Sequence, residues 1–190
     1  MGRLSDVLLR LSTGPVTLAL LVFFLAFTAV VLPGQAHAAE GAASGAGSPD
    51  TSFFYTPQEL YRMAEAYGSE GRQAYIRARF TFDVIWPLVY TAFLLTSISW
   101  MLRAAEIASL RGSHLNLMPL VGMSLDYLEN AATSLVMARY PSRTPLVDGL
   151  APIFTFTKWS FIGASFLVLV GLGVTALYRS LARRLSSGRR

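Results

Sequence analysis

The chain has 190 residues, 53% of them hydrophobic and only 14% charged, with a formal net charge of +5. Soluble domains carry roughly a quarter charged residues, so this composition points to a membrane protein. Cysteine is absent, which excludes disulfides and thiolate metal sites. The two histidines, His37 and His114, have no neighbouring ligands for a zinc site that takes about four, so neither a metal nor a cofactor is expected.

The first element, residues 1–38, reads as a signal anchor or a signal peptide. Arg3 and Arg10 precede the apolar run "PVTLALLVFFLAFTAVVLP", about Pro15 to Pro33. Ala36-His37-Ala38 has the A-x-A form of a cleavage site, while the apolar run exceeds the usual signal core of about 7–15 residues. The balance favours a retained anchor. Residues 39–56, with "EGAASGAGSPDTS" at 40–52, are small and polar and read as a flexible extracytoplasmic linker.

Residues 57–79 read as an extracytoplasmic interfacial helix and turn. Thr56 can cap, Pro57 suits the first helical position, and Glu59 stands at the capping-box site. Leu60, Met63, Ala64 and Tyr67 then form one apolar stripe at helical spacing, and Gly68 and Gly71 are expected to end it. The surrounding rings (Phe53, Phe54, Tyr55, Tyr61, Tyr67, Tyr75) suit either anchoring at the membrane surface or a cap over the bundle mouth.

A membrane bundle is expected over 80–178, with further spans at about 80–102, 116–137 and 152–178, each near the roughly 20 apolar residues a crossing requires. The 116–137 span is the least apolar, and its polar residues are ordered. With Asp126 at the origin, Glu129, Asn130 and Thr133 fall on the same helix face, opposite Leu125, Leu128 and Leu135. Charged groups inside a bilayer face protein rather than lipid. The neighbouring spans offer partners: Asp83, with Trp86, Pro87 and Tyr90 on its face, and Lys158, with Thr155 and Ser165. Pro87 has no N–H, so the Asp83 carbonyl loses its usual helical partner. A rise of about 1.5 Å per residue puts Asp83, Lys158, Glu129 and Asp126 roughly 5, 9, 12 and 16 Å below the outer boundary. All four lie in the outer half.

Residues 179–190 form a basic tail carrying Arg179, Arg183, Arg184, Arg189 and Arg190. Basic residues directly after an apolar run suit the cytoplasmic side of a bilayer rather than nucleic acid. With Arg3, Arg10, Arg103 and Arg111, they predict a multi-pass protein of the bacterial plasma (inner) membrane with both termini cytoplasmic. Gly163, Ala164, Gly171 and Gly173 suit close helix packing. No phosphate-binding loop, nucleophile elbow or H-E-x-x-H motif is present, so no catalytic residue is assigned.

The segments "YRMAEAYGSEGRQAYIRARFTFDVIWPLVYTAFL", "LNLMPLVGMSLDYLEN" and "FTFTKWSF" resemble a family of small bacterial four-span membrane proteins without an assigned activity. That resemblance implies a four-helix bundle and no chemistry. A weaker similarity is to the emopamil-binding and sigma-2-receptor-like group, four-span bundles whose intramembrane acids bind amines or stabilise a carbocation. In this chain Asp83, Asp126 and Glu129 would be the counterparts.

The expectation is therefore an all-α, four-helix transmembrane bundle with a short outer helix. Asp83, Asp126, Glu129, Asn130 and Lys158 form its ion-pair or ligand cluster, and Trp86, Tyr90, Thr133 and Thr155 line a pocket. A structural or accessory role, with Lys158 answering the acids, is the first reading. A binder or isomerase-like enzyme for a lipophilic, cationic small molecule is the second. An oligomeric proton-coupled carrier is the third. The bilayer, a lipophilic small molecule and a second copy of the chain are the expected partners.

Overall fold

The computed structural model describes residues 2–43, 45–105 and 114–187. Arg111, Arg189 and Arg190, assigned above to the inner loop and tail, lie outside them. Among the described residues the protein is all-α, with helices α1 (Gly2–Leu11), α2 (Gly14–Val30), α3 (Leu32–Ala43), α4 (Pro57–Ala66), α5 (Gly68–Arg79), α6 (Phe82–Ala104), α7 (Met118–Arg139) and α8 (Val147–Ser187). Two short 3-10 turns, Pro49–Thr51 and Leu115–Leu117, complete the order.

Three helical runs are long and apolar enough to cross a membrane: Gly14–Ala43, Gly68–Ala104 and Val147–Leu185. Helix α7, with 22 residues, is not among them. Its polar face, which carries Asp126, Glu129 and Asn130, keeps it from qualifying by composition.

The first run is longer than the sequence suggests. Pro33 sits in the first turn of α3, where a missing N–H is tolerated, and the Val31 N–H still donates to the Phe27 carbonyl at 2.9 Å. The alanine-rich text beyond it favours helix, so residues 39–43 are helical rather than part of a flexible linker. Phe24 and Phe27 of α2 stack on Trp86 of α6 at 5.8 and 5.7 Å between centroids, and Phe24 also stacks on Phe93 at 4.7 Å.

The capping box forms as its sequence predicts. The Glu59 N–H donates to the Thr56 hydroxyl at 3.2 Å, and the Thr56 N–H donates to the Glu59 carboxylate at 2.7 Å. The apolar stripe of α4 turns inward: Leu60, Tyr61 and Ala64 are buried in one core cluster with Ala132, Val136 and Met137 of α7 and Ala151 of α8. The helix packs across the α7–α8 end of the bundle. Tyr55, Tyr61, Tyr67 and Tyr75 are buried with it, while Phe53 and Phe54 stay exposed.

Gly68, at φ +61°, makes the break between α4 and α5, a conformation that costs glycine little. Gly71 does not break the chain. It lies within α5, where a Cβ would come 2.6 Å from the Ala42 carbonyl oxygen, so it permits the close approach of α3. Gly122 does the same between α7 and α8, since a Cβ there would meet Ile162 at 3.0 Å. Gly163, Gly171 and Gly173 were expected to serve close packing, but a Cβ at any of them meets nothing within 4 Å. They lie on α8 away from the seam with α7.

Candidate functional site

The four acids and bases predicted from α6, α7 and α8 do converge, and two further residues join them. Asp126 and Glu129 stand three residues apart on the inward face of α7, and Lys158 faces them from α8. The Lys158 ammonium contacts Glu129 Oε2 directly, and it lies 3.2 Å from Asp50 Oδ1 and 3.5 Å from Asp126 Oδ1. It is 2% exposed, and Glu129 is 1% exposed. Burial this deep is tolerable for charge only with close partners, and Lys158 has three.

Asp50 was assigned to the flexible linker. Instead it sits on the Pro49–Thr51 turn and reaches into the bundle. Its carboxylate bridges two cations, since Arg79 Nη1 lies 3.1 Å from the same oxygen. Arg79, buried near the end of α5, also holds Asp83 of α6 at 2.9 Å, an i,i+4 pair, and lies over the Tyr75 ring at 4.6 Å. Asp83 therefore enters the cluster through Arg79 and Asp50 rather than through Lys158. Burial by itself would raise the Asp50 carboxyl, but the Lys158 ammonium and the Arg79 guanidinium outweigh it and hold the group at about 2.

Hydroxyls complete the arrangement. Tyr90 donates to Asp126 Oδ2 at 2.9 Å. Thr155 donates to Glu129 Oε1 at 2.7 Å and pairs with the Tyr55 hydroxyl at 3.0 Å. Thr133 and Asn130 depart from expectation. The Thr133 hydroxyl serves its own helix at the Glu129 carbonyl and accepts from Tyr75 at 3.1 Å, touching neither Lys158 nor a carboxylate side chain. Asn130 is buried on the same face, yet its amide nitrogen and oxygen are both unpaired. Ser165 bonds only to the Phe161 carbonyl of its own helix, and Arg139 is exposed.

Two cavities meet at this cluster. The smaller, about 130 Å³, is lined by Asp50, Asp83, Asp126 and Lys158, with Trp86, Tyr90, Trp159 and three apolar side chains. The larger, about 380 Å³, lies between the alanine faces of α3 and α5 and shares Asp50, Asp83, Trp86 and Trp159 with the first. Trp86 lines both cavities and Tyr90 the smaller one, whereas Thr133 and Thr155 line neither.

Among the described residues the cluster joins four carboxylates to two cations. Oxygens of Asp50, Asp126 and Glu129 lie within 4.8 Å of one another, a spacing that would suit a metal ion. The cation among them is the chain's own ammonium. Fully ionised, the site carries two negative charges in excess, in surroundings where Coulomb energies far exceed their values in water.

The sequence reading missed Asp50, Tyr55 and Tyr75 as members of the site. The Arg79–Asp83 spacing was a visible signal. Asp50 was marked only by the turn-forming Ser48-Pro49-Asp50 text within a linker composition. Fold and site together define an all-helical protein with membrane-length apolar helices and a buried, net-acidic ion-pair cluster. No protein-family model, curated protein or solved structure matches the chain.

Proposed function

We propose that this is a four-span integral membrane protein of the bacterial plasma membrane that binds a lipophilic organic cation in the outer half of its bundle. The observation that carries the reading is the meeting of the two cavities at Asp50, Asp83, Trp86 and Trp159. An apolar chamber of a few hundred Å³ with a few convergent polar groups is the usual form of a small-molecule site. Excess carboxylates supply attraction for a cation, and indole faces supply cation–π contact. In this reading α7 is the fourth span. Its polar face is covered by α8 and α6, and Val121, Leu128 and Leu135 are exposed on the other side to meet lipid. Arg10, Arg103 and the tail support a cytoplasmic side for both termini, and α4 would then cap the outer mouth.

The binding reading is tested by thermal unfolding in a maltoside detergent. A hydrophobic amine present at about 100 times its Kd adds roughly 2.7 kcal/mol to the stability of the folded state, and Asp126→Asn is expected to abolish the shift. An unchanged melting temperature across a series of hydrophobic amines would remove the reading.

A second reading, a structural or accessory role without a ligand, is favoured by one observation: Lys158 is already surrounded by three carboxylates. It leaves the excess acids without a role. An oligomeric proton-coupled carrier remains a third reading of the same charges, with proton uptake into liposomes as its test.

We further propose that residues 1–38 are retained. Ala36-His37-Ala38 lies inside helix α3, and α3 forms one wall of the larger cavity. Ser5 donates to Asn116 at 2.7 Å and Arg103 donates to the Ser12 carbonyl, which ties α1 to the bundle. The intact mass of the purified protein is expected to include this segment; a mass starting near Ala39 would refute retention.

A further inference from the structure

We propose that the cation recognised at this site is a primary alkylammonium, and that Lys158 is its built-in competitor. This rests on the binding reading above and specifies its ligand.

The argument begins from what the cluster already holds. A lysine side chain is itself a primary alkylammonium on a four-carbon stem, with three N–H donors and no acceptor. Here that head group is met by three carboxylates from two separate chain segments: Asp50 before α4, and Asp126 and Glu129 on α7. Its nitrogen also stands 5.2 Å from the Trp159 ring centroid. The folded chain therefore displays a cage fitted to R–NH3+. A quaternary ammonium has no N–H to offer these oxygens and is too broad to approach them as closely.

One lysine and one arginine do not fill the cage's capacity. Four carboxylates face two cations, so with all four ionised there is charge for a further monocation. The 130 Å³ cavity is lined by Asp50, Asp83 and Asp126 together with Trp86 and Trp159. A ligand's alkyl chain would extend into the larger cavity, between the Ala39–Ala42 face of α3 and the Ala74–Ala78 face of α5.

An incoming ammonium must share these carboxylates with Lys158, and the two cations repel. Replacing Lys158 with an isosteric apolar residue would remove the competitor while keeping the carboxylates. The substitution that costs the fold most is thus expected to improve binding.

The test uses the full-length protein in maltoside at neutral pH, with n-octylamine and octyltrimethylammonium as probes, read by thermal shift and isothermal titration. Wild type is expected to bind octylammonium at least about tenfold more tightly than the quaternary analogue, and Lys158→Met to tighten octylammonium by about tenfold or more. Equal or better binding of octyltrimethylammonium would overturn the head-group assignment while leaving the lipophilic-cation reading intact. Weaker octylammonium binding by a folded Lys158→Met would overturn the competitor role. If Lys158→Met folds only with amine present, recovery by octylamine but not by octyltrimethylammonium supports the proposal, and equal recovery by both overturns it. Failure of that variant to fold under any condition leaves the wild-type comparison to decide. Binding of neither probe to wild type would remove the broader reading and this one with it.

Discussion

Replacing Lys158 with methionine is expected to destabilise the ligand-free protein by about 3–5 kcal/mol, the usual cost of removing one member of a buried ion pair. The ammonium is 2% exposed and answers three carboxylates, so its loss strands them without their cation. Glu129→Gln is expected to destabilise by a smaller amount, because Asp50 and Asp126 still hold the ammonium. The two changes are not independent. Once Lys158 is gone, neutralising Glu129 removes a repulsion instead of an attraction, and the double variant should be more stable than additivity predicts by about 1–3 kcal/mol. Equilibrium unfolding of the four proteins in mixed micelles measures this coupling. Additive effects would mean that the contact between Lys158 and Glu129 does not stabilise the fold.

Asp50→Asn is the second substitution with a large expected effect, and pH reads it. The Asp50 carboxyl titrates at about 2 in the folded protein against an ordinary value of 3.8. A carboxyl held below its unfolded value stabilises the fold above the unfolded pKa, and that contribution disappears as pH falls through the folded value. The shift corresponds to about 2 kcal/mol. Wild type should therefore exceed Asp50→Asn by that amount near pH 6, and the gap should close between about pH 4 and pH 2. A gap that is constant over this range would mean that Asp50 contributes through packing and not through charge. The effect should also be local. Asp50 ties the Pro49–Thr51 turn to Arg79 and Lys158, so protease sensitivity around residues 44–56 should rise in the variant.

The two substitutions separate the levels at which the site is held. Lys158 joins two long helices whose seam also depends on the close approach at Gly122. Asp50 joins the irregular segment before α4 to that seam. The first should unsettle the bundle, and the second only the cap over it.

Much of this arrangement was legible before any coordinate. The polar face of α7 follows from a helical period applied to Asp126, Glu129, Asn130 and Thr133, and the rule that buried charge faces protein places Lys158 opposite. The capping box of α4 was equally plain, because Thr56, Pro57 and Glu59 act on their own backbone within one turn. Errors came where a local pattern permits two outcomes. Glycine marks both breaks and close contacts: Gly68 makes a break, Gly71 and Gly122 make contacts, and Gly163, Gly171 and Gly173 make neither within this chain. Tyrosine near a membrane marks both interfaces and buried caps, and here the cap claims Tyr55, Tyr61, Tyr67 and Tyr75.

Composition and periodicity alone determined that this chain is helical, that long parts of it suit a bilayer, and that its acids on α7 share one face. Those properties depend on residues a few positions apart, and the helix repeat relates such residues without further information. Only the tertiary structure decided that Asp50 leaves its linker to bridge Arg79 and Lys158, and that an apolar chamber opens beside the cluster. These contacts join residues separated by 29 to 108 positions in the chain, and no short-range pattern encodes which of several solvated acids the fold will draw inside.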